Sequence, residues 1–151
     1  MRNIFVELIS NRILIPVLIA WVSAQMLKFL LTLLTKKRVD WVRLIGTGGM
    51  PSTHSASVMA LAVLVGLYNG FNSQIFAVVF VFAMVVMFDA AGIRMAASRQ
   101  ARLLNELIEN FFKEHYVNQR KLKELLGHTP FEVLAGAIWG AIVAVISYAL
   151  A

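Results

Sequence analysis

The sequence has no cysteine, which excludes a disulfide framework and any thiol chemistry. It has no internal repeat and no low-complexity tract, so residues 1–151 are read as a single integral-membrane domain. Charged residues are scarce as well, at 15% of the chain against 60% hydrophobic, and the mean hydropathy is +0.76. A soluble domain of this size would be about half apolar, so this composition excludes one. Acidic residues are fewer than basic ones, 8 against 14, for a net charge of +6. In a soluble protein that balance would suggest nucleic acid, but a polytopic membrane protein places its Lys and Arg in cytoplasmic loops. The basicity therefore speaks for topology and for an anionic substrate, and no nucleic-acid partner is expected.

What the chain does have is four apolar stretches, near residues 13–34, 54–70, 75–93 and 131–150. A bilayer crossing takes roughly 20 helical residues, with a range of about 17–25. The expected fold class is all-α, a polytopic membrane helix bundle with about four transmembrane helices plus amphipathic surface helices. Residues 2–12, with Ile4, Phe5, Leu8 and Ile9, read as a short amphipathic helix lying at the membrane surface. Val22-Ser23-Ala24 has the small residues of a signal-peptidase site, but the apolar run continues to Leu34, so the segment is read as a retained span. Between the third and fourth spans lies a polar segment, 95–128, in which Leu103, Leu104, Leu107, Ile108, Phe111 and Phe112 recur at helical spacing, with Glu109 and Lys113 four apart on the other face. It reads as an amphipathic helix on the cytoplasmic side that covers a site, rests on lipid headgroups or simply connects two spans. The amino end and the turn over residues 69–74 hold two Lys or Arg residues, whereas the loops around 35–53 and 94–129 hold eleven. Positive residues stay inside. The expectation is a bacterial-type inner (plasma) membrane protein with both termini outside.

The stretch Gly48-Gly49-Met50-Pro51-Ser52-Thr53-His54-Ser55-Ala56 suits an anion-binding turn. Its glycines let the backbone approach a ligand, Pro51 suits a first helical turn, and Ser52, Thr53 and Ser55 set hydroxyls beside helical N–H groups. A helix start attracts phosphate through those N–H groups and the macrodipole, and His54 adds an imidazole. A plain glycine turn with a serine cap accounts for the same residues. With the topology above, the other unusual polar groups fall at the same level: Lys28 in the later half of span one, Asp89 and Arg94 at the end of span three, His128 and Glu132 at the start of span four. Ionisable groups at this depth are costly and usually face a bundle interior. In Gly127-His128-Thr129-Pro130-Phe131-Glu132, a capping box explains Thr129, Pro130 and Glu132. His128 and Glu132 are also four apart, which sets a carboxylate to hold one ring nitrogen protonated and leave the other as a nucleophile. The carboxylate has two oxygens, so both roles fit together. One His and one Glu without a second His do not make a zinc motif, and no metal or other cofactor is expected.

Pro-Ser-Thr-His, followed by a second histidine with a carboxylate four residues on, resembles the type-2 phosphatidic acid phosphatase and vanadium-dependent haloperoxidase superfamily. Gly-Gly-Met-Pro-Ser-Thr-His-Ser-Ala, Phe88-Asp89-Ala90-Ala91-Gly92-Ile93-Arg94 and Leu122-Lys123-Glu124-Leu125-Leu126-Gly127-His128-Thr129-Pro130-Phe131-Glu132-Val133 resemble its small divergent membrane branch over nearly the whole chain. The resemblance implies a metal-independent phosphatase in which His128 is the nucleophile, forming a phosphohistidine, Glu132 orients it, and His54 protonates the leaving alkoxide and then deprotonates water. Gly49, Ser52 and Thr53 would hold phosphoryl oxygens. The superfamily's Arg six residues before the nucleophile falls on Leu122 here, leaving Lys121, Lys123 and Arg94 as candidates to replace it. Lys36 and Arg43 match the spacing of the first superfamily motif, with Leu44 in place of its proline, and Lys28 competes with them as a phosphate-binding cation. Asp89 is expected to pair with Arg94 or Lys28 in support. Gly136 and Gly140 offer a close helix approach, and Trp41 and Tyr148 suit opposite interfaces. The superfamily usually has six core helices, so either the core is reduced or a homodimer completes it. The expected function is a lipid-phosphate or lipid-diphosphate phosphatase at the cytoplasmic face, its partners being that substrate and membrane lipids. A transporter or ion-handling bundle lined by Lys28, Asp89 and Arg94 would need polar groups through the outer half of the bilayer, where the chain offers only Gln25 and small hydroxyls. A catalytically altered scaffold of the same fold is the third reading.

Overall fold

The computed structural model describes residues 3–36, 49–92, 100–108 and 128–151. Each long helix starts where a short polar side chain can satisfy the first N–H groups. The Asn11 carboxamide oxygen accepts from the N–H groups of Ile13 and Leu14, both at 2.9 Å, and α2 runs Leu14–Lys36 behind the short exposed α1, Ile4–Ile9. Ser52 caps α3, Thr53–Asn69, and Ser73 caps α4, Gln74–Ala91. Thr129 caps α5, Pro130–Ala149. Such caps contribute about 1 kcal/mol each. Between α3 and α4 the chain reverses at Gly70, whose φ of 88° is a left-handed conformation that favours glycine. Residues 100–108 are helical.

The protein is an all-α membrane helix bundle. Among the described residues α2, α4 and α5 are long and apolar enough to cross a membrane, and α3 is an apolar helix of 17 residues. At 1.5 Å per residue α3 spans roughly 25 Å, short of a hydrocarbon core of about 30 Å. The four expected apolar stretches are thus all helices, three of them long and α3 at the lower end of the crossing range. The surface helix expected over residues 2–12 is likewise shorter, six residues long.

Helices α3 and α5 run parallel. Gly136 lies against the backbone of Ser52 and Gly140 against that of Ala56, one turn further along both helices, while Tyr68 and Tyr148 stack edge to face at the far end with centroids 4.9 Å apart. A β-carbon on either glycine would run into the carbonyl oxygen opposite it. Helix α2 runs the other way, so Ala20 joins Ala60, Leu64 and Ala144 in the core. The buried set is rich in alanine, whereas Val78, Val85 and Phe88 of α4 point outward. In a bilayer lipid is as apolar as leucine, and small residues that admit close backbone contact hold helices together.

Candidate active site

The start of α5 is a capping box: Thr129 Oγ1 accepts from the Glu132 N–H at 3.3 Å, and the Glu132 carboxylate accepts from the Thr129 N–H at 3.0 Å. The same carboxylate oxygen, Oε2, lies 3.2 Å from His128 Nδ1. Capping and orienting therefore coexist, but not by sharing out the two oxygens as the sequence suggested; one oxygen does both. A carboxylate oxygen accepting at this distance assigns the proton to Nδ1 and leaves the lone pair on Nε2. His128 is 1% exposed, and its backbone N–H donates to the Ala90 carbonyl at 3.3 Å, tying the start of α5 to the last turn of α4. Asp89, half-buried, is the neighbour of that carbonyl.

The glycine turn meets this layer from α3. Gly49 has a φ of 90°, and the Met50–Pro51 peptide is cis. Pro51 precedes the cap rather than opening the helix, contrary to the sequence reading, because Ser52 holds the cap position and α3 begins at Thr53. Ser52 Oγ accepts from the Ser55 N–H at 3.4 Å and from the Ser55 hydroxyl at 3.0 Å. The Ser52 N–H donates to the Glu132 carbonyl at 3.0 Å, so this amide is not available to a phosphoryl oxygen as the resemblance implied. Ser52 instead locks the cap of α3 onto the first turn of α5. Thr53 is buried beside it.

Lys28 is 1% exposed, the largest of the fully buried side chains among the described residues. Its Nζ donates to Gln25 Oε1 at 3.2 Å, and its backbone carbonyl accepts from Thr32 Oγ1 at 2.8 Å. An apolar groove of about 240 Å³, lined by Leu27, Leu31, Met50, Pro51, Ala135 and Trp139, fixes the level: this part of α2 faces the glycine turn and the second and third turns of α5. Burial holds the His128 imidazole below the usual histidine value of about 6.5, the hydrogen bond and charge of Glu132 pull it back up, and the positive fields of Lys28 and His54 push it down again. His54, in the first turn of α3, is exposed. One end of the bundle therefore brings together Lys28, Ser52, Thr53, His54, Asp89, His128 and Glu132, from all four long helices. Among the described residues no three His, Cys, Asp or Glu side chains converge as a metal site would require.

The sequence profile of the divergent PAP2 family matches residues 9–143. The chain belongs to that family. It is similar to the uncharacterized membrane protein YuiD of Bacillus subtilis (strain 168), with 39% identity over 153 residues, covering 93% of this chain and 96% of the relative. No solved structure matches it. The family match takes in the whole polar layer of this divergent PAP2 chain, from Lys28 to Glu132. Of its predicted phosphate-binding cations, Arg43, Arg94, Lys121 and Lys123 lie outside the described residues, as does Trp41. Among the contacts that escaped sequence reasoning are the Ser52 amide on the Glu132 carbonyl and the Trp139 indole N–H donating to Ser23 Oγ at 3.0 Å. Neither has a local signal, since each joins residues about eighty or more positions apart.

Proposed function

We propose that this divergent PAP2 protein is a membrane lipid-phosphate or lipid-diphosphate phosphatase working through a phosphohistidine. The observation that carries the reading is His128, a buried imidazole whose Nδ1 sits 3.2 Å from the Glu132 carboxylate, the arrangement a nitrogen nucleophile needs. In the first step Nε2 attacks phosphorus, the bond from phosphorus to the ester or anhydride oxygen breaks, and His54 gives that oxygen a proton. In the second, His54 takes a proton from water, the water oxygen attacks phosphorus, and the phosphorus–nitrogen bond returns its pair to Nε2. Inorganic phosphate leaves. Charge on three phosphoryl oxygens needs fixed positive groups and hydrogen-bond donors; we assign Lys28, Arg43, Arg94 and Lys123 as the cations and Gly49, Ser52 through its hydroxyl and Thr53 as the donors, with Asp89 in support. A lipid substrate is favoured by the apolar groove beside the Met50–Pro51 turn, which suits an alkyl chain next to a headgroup phosphate. By the charge bias of the loops, the site faces the cytoplasm.

The test is vanadate-sensitive phosphate release by the purified protein across a panel of lipid phosphates and diphosphates. His128→Asn and His54→Asn should each abolish turnover while the size-exclusion profile stays that of the wild type. Turnover that survives His128→Asn rejects the nucleophile.

A further inference from the structure

The helical segment over residues 100–108 has three distinct flanks. On a helical projection Leu103, Leu107 and Leu104 share one arc, and they are 60%, 54% and 48% exposed. Arg102 and Glu106 form an ion pair at 3.4 Å, four residues apart, on the opposite side, with side chains 72% and 57% exposed. Between these arcs, on the side of the wheel shared with half-buried Ala101, Asn105 is only 7% exposed. The segment therefore rests on the protein through the Asn105 side, with leucines along one flank and charges along the other. A connector in water would have no cause to hold three leucines outward. A helix beside a membrane bundle has one: its apolar flank lies in the boundary between headgroups and acyl chains while its charged flank stays wet. The order of the chain supports this placement. The segment follows the end of α4 and precedes the start of α5, and the His128 N–H bond to the Ala90 carbonyl sets both of those ends at one pole of the bundle.

We propose that residues 100–108 form an interfacial helix whose Leu103, Leu104 and Leu107 insert into the bilayer surface at the pole that carries His128, with Arg102 and Glu106 facing water. The partner is the lipid surface itself, and the proposal is independent of whether the protein hydrolyses phosphate.

The absence of native cysteine makes the test direct, because a single introduced cysteine is the only labelling site. The full chain is reconstituted into phosphatidylcholine–phosphatidylglycerol vesicles as Leu104→Cys, Leu107→Cys, Arg102→Cys or Glu106→Cys, each carrying an environment-sensitive fluorophore. Probes at 104 and 107 should be quenched several-fold more by lipids brominated near the top of the acyl chain than probes at 102 and 106, and should resist aqueous iodide. Probes at 102 and 106 should show the reverse. Equal iodide quenching on both flanks would show a helix immersed in water and overturn the proposal. So would protection of 104 and 107 from both quenchers, which would mean the leucines are covered by protein. Size-exclusion elution matching the wild type qualifies each variant before labelling.

Discussion

His128 and Glu132 join two demands at one carboxylate oxygen, and substitutions can separate them. Glu132→Gln keeps an oxygen to accept from the Thr129 N–H, so the start of α5 should survive, but it removes the negative charge that favours a protonated Nδ1. Turnover should fall at least about 100-fold, as expected when the carboxylate that orients a catalytic imidazole loses its charge, with little change in thermal midpoint. The pH dependence follows from the direction of the His128 shift. Burial depresses this base, so nucleophilic neutral imidazole persists above its folded value, and kcat/KM should fall as pH drops through a midpoint below about 6.5. Since Glu132 pulls that value upward, the acid limb of any residual Glu132→Gln activity should move to still lower pH. Stability should follow the same sign: a base depressed in the folded state favours unfolding once pH falls below the unfolded value, so the thermal midpoint should decline from about pH 6.5 downward.

At the scale of elements, the contact between α3 and α5 is the least forgiving. Gly140→Ala and Gly136→Ala each place a methyl group against backbone, of Ala56 and Ser52 respectively, which cannot rotate away as a side chain does. Each should destabilise by about 1–3 kcal/mol, the usual range for overpacking, read as a lowered thermal midpoint in detergent. Gly136→Ala should also lower turnover, since it displaces the cap residue that accompanies the site. Trp139→Phe removes the bond to Ser23 and should cost about 1 kcal/mol. Much of this element structure was legible in the sequence. Apolar runs marked α2, α4 and α5, Thr129 announced a helix start, and the spacing of Gly136 and Gly140 announced a close approach. Which backbone they approach was not legible, because a small-residue face says that a helix comes near without saying which one.

At the scale of the whole molecule, the charge bias of the loops predicts an orientation that a cysteine-free chain reports cleanly. Asn72→Cys, in the exposed turn between α3 and α4, should react with an impermeant maleimide on intact cells, and exposed Arg102→Cys only after permeabilisation. The reverse pattern would turn the site outward. The gathering of polar groups at one end was readable from topology alone, since alternating helices must return Lys28, His54, Asp89 and His128 to a common level. The use of the Ser52 amide by the Glu132 carbonyl was not, because such bonds depend on how two helices are phased about their axes. That phasing has a mechanical consequence. With glycine against carbonyl at two successive turns and an amide clamped across the top, α3 and α5 behave as one stiff rod, and both histidines ride on it. On the proposed function, room for a bulky amphiphile would then have to open along the seams with α2 or α4, with the spacing between the two imidazoles left unchanged.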